Sequence, residues 1–226
     1  LIRSLRAQDN IVAWDLINEP EWITSDLYPL RVSLGRPLPT SDQMKGFFDA
    51  MIRVIREEET VVTRKRHITV GVTQPLPGRP RTLRWIVDWN ERAGNWQIGF
   101  YQIHSYFTPS YPSQTFHQDI PDISSLRLNK PVIIGECSFK KELLTGADIT
   151  NHRIKQLQAV QHLVQRAWNL GYAGCLVWSH YTEDSDLHNL IENESMIPSG
   201  SRTEKPVCAA LRSFYSSHLS AVNIVK

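Results

Sequence analysis

Two segments, IVAWDLINEP (residues 11–20) and PVIIGE (residues 131–136), each carry an apolar run of strand length onto a glutamate. A carboxylate there does little for stability, because glutamate is depleted in strands and seldom buried unpaired. Glu19 and Glu136 therefore point to one site assembled from two strand ends. Two facing carboxyls are the machinery of glycoside hydrolysis.

The elements that must position them alternate along the chain. Strands are expected at Ile11–Ile17, His67–Thr73, Gln97–Ser105, Val132–Glu136 and Ala173–Trp178. The first has apolar residues on both faces, as a parallel strand covered by helices requires. Ser41 is placed to cap a helix reaching about Glu57, with Met44, Phe47, Phe48, Met51, Ile52 and Ile55 on one stripe. A second helix runs through Leu83, Ile86 and Val87. The clearest spans Thr150–Leu170, with Gly171 as its stop signal, and Pro206 opens the last. A loop rich in Pro, Ser and Tyr separates Thr108 from Pro121, with a short helix after it.

Such alternation implies a parallel sheet with right-handed crossovers. An open doubly wound sheet would lead one to look for a phosphate turn, GxGxxG or GxxxxGK(S/T), and neither is present. The polar residues gather instead after strands, where a β/α barrel builds its site. The 226 residues suit one domain or most of one large barrel. A net charge of +2 without a basic block argues against nucleic acid as partner. No apolar stretch is long enough to span a membrane. Cys137, Cys175 and Cys208 form no CxxC pair, which argues against a zinc site or disulfide scaffold. His180, Asp184, Asp186 and His188 fit no metal-ligand template, and no cofactor is expected. Asp15, inside the first strand, reads as a buried structural carboxylate with fixed partners. Trp14, Trp85, Trp89, Trp96 and Trp168 read as core or helix-packing residues.

WDLINEPEW (residues 14–22) strongly resembles the strand-four signature of the retaining glycoside hydrolases of clan A, most like family five, the cellulase and mannanase group. IIGECSF (residues 133–139) resembles that family's strand seven. QIHSYF (residues 102–107) looks like its strand six, and CLVWSHY (residues 175–181) like its strand eight. The four elements occur in family order. The resemblance implies a (β/α)8 barrel, N-terminally truncated, with strands four to eight spread over residues 1–226. The opening LIRSLRAQDN reads as the end of a helix, so the true N-terminus is expected to be missing, with any targeting segment and an Arg of strand two. Secretion is compatible with this and not legible from it.

By the same resemblance Glu19 is the acid/base and Glu136 the nucleophile. Asn18 contacts the sugar 2-hydroxyl, Tyr106 hydrogen-bonds the nucleophile, and His104 lines the same wall. Trp178 is the platform under the cleaved sugar, and Trp22 lines the leaving-group side. Strand parity agrees, since His104 shares a face with Tyr106 and Trp178 with His180. The implied partner is a β-glucan or β-mannan type carbohydrate. A non-catalytic carbohydrate-binding or scaffold protein on the same fold is the alternative. With strands one to three absent, the first and last strands are open edges, and self-association through them is expected.

Overall fold

A computed structural model describes residues 1–27, 37–73, 81–92, 97–107, 120, 122–139, 149–177 and 206–219. Five strands, β1 (Ala13–Asn18), β2 (His67–Val72), β3 (Tyr101–Phe107), β4 (Val132–Phe139) and β5 (Gly174–Val177), form one parallel sheet in the order β1-β2-β3-β4-β5. The helices are α1 (Ile2–Leu5), α2 (Ser41–Glu58), α3 (Arg81–Arg92), α4 (Ile123–Leu126), α5 (Ile149–Asn169) and α6 (Pro206–Leu219). Neighbours in sequence are neighbours in the sheet, as successive βα units of a (β/α)8 barrel require. Two compact units divide the chain: Leu1–His104 with Ile123–Ile133, and Ser105–Asp122 with Ile134–Lys226.

In the first unit, α2 begins at a capping box. Thr40 takes a hydrogen bond from the Gln43 N–H (3.3 Å), and the Gln43 side chain takes one from the Thr40 N–H (2.8 Å). The cap is therefore Thr40, one residue before the expected Ser41, whose N–H and hydroxyl go to Asp26 instead. Met44, Phe48, Ile52 and Ile55 form the buried stripe of α2, while Phe47 at its margin is exposed. Phe48 packs between Trp85 and Trp89 of α3, with ring centroids 5.7 and 5.1 Å away. Strand β2 is buried from Ile68 to Val72, so it reads as one apolar run, as a strand covered on both faces must.

In the second unit, Val160, Leu163, Val164 and Ala167 bury one face of α5. Gly171, at φ 82°, ends it: the Tyr172 N–H reaches back to the Ala167 carbonyl (3.0 Å) and the Gly171 N–H to the Trp168 carbonyl (3.0 Å). That left-handed exit favours glycine. Trp168 is a helix-packing residue, one of the two roles expected of it: its exposed ring rests edge-on against His218 and Phe214 of α6.

One buried carboxylate ties the first unit together. Glu59, just past α2, is fully buried. It accepts from Trp14 Nε1 of β1 (2.9 Å), from Arg56 of α2 (2.7 Å) and from the Arg66 N–H leading into β2 (3.2 Å). Burial works to raise its pKa, but these donors outweigh it and hold the carboxyl below its ordinary range. A depressed folded pKa adds stability that is present above the unfolded value and lost as the pH falls through the folded one. Glu59→Ala leaves buried N–H donors and a guanidinium without their acceptor. It should cost about 2–4 kcal/mol at neutral pH and progressively less in acid. Urea unfolding of both proteins across that pH range checks this; a pH-independent difference counts against it.

Candidate active site

Glu19 follows β1 directly and is half-buried. Its backbone is left-handed, φ 46° and ψ 57°, a conformation that costs a non-glycine residue about 1–3 kcal/mol. The surroundings hold it there. Its N–H donates to the Gly71 carbonyl of β2 (2.8 Å) and its carbonyl accepts from the Trp22 N–H (3.1 Å). Pro20, preset for a first turn, opens the 3-10 turn Pro20–Ile23, and the Thr24 hydroxyl caps the Pro20 carbonyl (2.7 Å).

The Glu19 carboxyl is gripped on both oxygens. Trp22 Nε1 donates to Oε2 (2.7 Å), and His104 Nδ1 shares a hydrogen bond with Oε1 (2.9 Å). His104 is 2% exposed, on β3. Its ring lies over Gly71: a Cβ built at Gly71 would sit 2.6 Å from His104 Nε2. Only a residue without a side chain lets the ring through. Gly71 pairs with Gln102 in the β2–β3 register and with Asn18 in the β1–β2 register, after a local irregularity between Asp15 and Asn18. Asp15 has its fixed partners, the Gly71 N–H (3.2 Å) and the Gln102 side-chain amide. The residue as a whole is exposed, while burial of its carboxyl is the first cause that raises its pKa against the hydrogen bonds from Gly71 and Gln102.

The sequence reading gave Glu21 no role. It is 1% exposed, with Oε1 accepting from the Thr73 N–H and Oε2 without a hydrogen-bond partner among the described residues. Burial foremost, and the nearby Glu19 charge in addition, raise its pKa against the opposing hydrogen bonds from Thr73. After a proline in a turn, such a residue looks like any solvated loop carboxylate, and nothing in its spacing says otherwise.

Asn18 is exposed at the end of β1. Glu136 is half-buried in the second unit and does not end its strand, since β4 continues to Phe139. Tyr106 lies on β3, two residues past His104. Trp178 and the stretch from His180 to His188 lie outside the described residues, as does Trp96.

No protein-family model matches the chain, and no curated protein matches it in sequence. Solved structures do match. A GH10 xylanase from Bispora sp. MEY-1 with xylobiose is 15% identical at TM-score 0.59, over 92% of this chain and 64% of its own. A BuGH86 protein in complex with neoagarooctaose is 12% identical at TM-score 0.57, over 87% and 34%. A beta-glucosidase from Thermotoga maritima in complex with deoxynojirimycin is 14% identical at TM-score 0.53, over 96% and 66%. The likeness shows the fold, part of a (β/α)8 barrel, and the chain spans between a third and two thirds of the length of these structures.

Glu21 offers a direct probe of the site's electrostatics. Its folded pKa is raised, so the fold holds the proton more tightly than the unfolded chain does. Stability therefore falls as the pH rises above the ordinary carboxylate value. Glu21→Gln keeps an acceptor for Thr73 and removes the buried charge. Its melting temperature should lie near that of the parent at about pH 4 and above it at about pH 7.5. The same difference at both pH values would show that ionisation of Glu21 is not linked to folding.

Proposed function

We propose that this chain carries the catalytic pair of a retaining β-glycosidase, family-five-like and acting on a β-glucan or β-mannan type glycan. The observation that carries the reading is Glu19. A carboxyl held between an indole N–H and a buried imidazole, on strained backbone at a strand end, is a group fixed in place for use. The solved neighbours support glycoside hydrolysis in general, and the order of the four motifs supports the finer assignment.

In this reading Glu19 donates its proton to the leaving oxygen while ionised Glu136 attacks the anomeric carbon. The resulting glycosyl ester is then hydrolysed by water that Glu19 deprotonates. The mechanism needs the two carboxyls about 5–5.5 Å apart, too close for a water between them. Trp22 and His104 keep the Glu19 carboxyl aimed. Asn18 serves the sugar 2-hydroxyl, Tyr106 the nucleophile, and Trp178 the sugar face, where burying an apolar ring surface is favourable. No cofactor takes part.

The test is kinetic, on the protein encoded by the whole reading frame. Glu136→Ala should abolish turnover, because no covalent intermediate can form. Glu19→Ala should slow β-glucan or β-mannan hydrolysis far more than hydrolysis of aryl β-glycosides, whose leaving groups need little protonation. The expected gap is on the order of 10²–10⁴-fold. Equal losses on both substrates would sink the role of Glu19. Glycan binding without hydrolysis would favour the non-catalytic alternative.

The chain of 226 residues by itself should show little turnover and should self-associate. β1 and β5 stand at the two ends of the sheet order, with exposed Val12 and Leu176 beside and on them. Unpaired strand edges invite pairing with other chains. Light scattering after size exclusion should give a dimer or larger species; a fully active monomer would overturn this.

A further inference from the structure

We propose that Cys137 and Cys175 form an intrachain disulfide that staples β4 to β5. Neither thiol has a part in the chemistry above, and the inference stands whether or not the chain is a glycosidase. The two residues are 38 positions apart in sequence, yet their sulfurs lie 3.2 Å from each other. They sit on neighbouring strands and are 0% and 6% exposed. Adjacent strands run about 4.8 Å apart. That spacing falls within the Cα separation a disulfide spans, about 4.4–6.8 Å. Closing the sulfurs to a bond of about 2.05 Å takes a movement of about 1 Å, within reach of side-chain rotation. The backbone of Cys175 is fixed independently, because the Tyr215 hydroxyl of α6 donates to its carbonyl.

Burial also says when the bond forms. The attacking species is the thiolate. In the folded chain the hydrogen bond to Cys175 comes first, with burial and the Glu136 charge added, and together they hold the Cys137 thiol well above its ordinary pKa. The folded Cys137 thiol is therefore a poor source of thiolate, and oxidation proceeds fastest in the folding chain, before β4 and β5 close over the two buried sulfurs. With a low-molecular-weight disulfide as oxidant, one cysteine thiolate attacks it, forming a mixed disulfide and releasing one thiolate. The second cysteine thiolate then attacks the cysteine sulfur of that mixed disulfide and releases the other. The oxidant's S–S bond breaks and the Cys137–Cys175 bond forms. Two electrons pass to the oxidant, and two protons end on the two released thiols. Oxidising surroundings preserve such a staple.

The reduced chain, denatured and refolded in oxidised glutathione, tests this. After alkylation of free thiols in denaturant, mass spectrometry should show two of the three thiols lost and a peptide linking Cys137 to Cys175. Cys208→Ser should leave that link unchanged. The oxidised chain should melt at a higher temperature than the reduced one, and Cys175→Ala should lose both the link and the temperature shift. The folded, reduced chain given the same oxidant should form the link at least ten-fold more slowly. Three blockable thiols, glutathione adducts alone, or links shared evenly with Cys208 would each overturn the proposal.

Discussion

The site depends on one missing side chain. At Gly71 the middle of a buried strand carries no Cβ, and the His104 ring occupies the space a Cβ would need. Only so can an imidazole on β3 reach across β2 to a carboxyl at the end of β1. The same residue works through its backbone. Its carbonyl receives the Glu19 N–H and its own N–H goes to Asp15. A glycine weakens a strand through entropy and lost packing. Here the loss is offset by burial around it, since Ile68, Val70 and Val72 of the same strand are almost wholly inside. A strand covered on both faces can carry a gap that an exposed strand could not.

Three strands meet at Glu19, and the cost of its conformation is spread over them. Left-handed backbone at a non-glycine residue persists only where the surroundings over-determine it. Glu19 has a main-chain bond to β2, side-chain bonds to Trp22 and His104, and a proline-led turn behind it. Glu21 adds a further tie, from that turn to Thr73 at the exit of β2. Its second oxygen has no hydrogen-bond partner among the described residues, which favours the protonated form of a buried carboxyl. Glu21 thus anchors the turn, with its pKa raised by burial foremost and by the nearby Glu19 charge in addition.

What was legible in the sequence followed from periodicity. All five strands and the long helices lie where hydrophobic spacing put them, within a few residues at each end. The errors fall at ends. Thr40 rather than Ser41 caps α2 because the choice depends on which hydroxyl meets the Gln43 N–H. β4 outruns Glu136 because a charged residue can continue a strand when its neighbours pair. Gly71 could have been found, since an isolated glycine inside a strand pattern marks a close approach. Glu59, Glu21 and the Cys137–Cys175 contact could not. Each owes its role to chain segments that only the fold brings together, and residue type alone reads as solvated acid or unpaired thiol.

The likeness to xylanase and glucosidase barrels fixes the architecture and leaves the chemistry to the site, because one barrel supports many reactions by changing its strand ends. A strand end that served only the fold would relax. It would place a residue tolerant of left-handed backbone at position 19 and fill the space over position 71 with an aliphatic side chain. This chain does the opposite at both places. It holds strain at a carboxylate, and it empties a core position so that a histidine can reach that carboxylate. Departures from local rules concentrate where function sets the terms. Their convergence on Glu19 is a stronger argument for chemistry at that strand end than the fold itself provides.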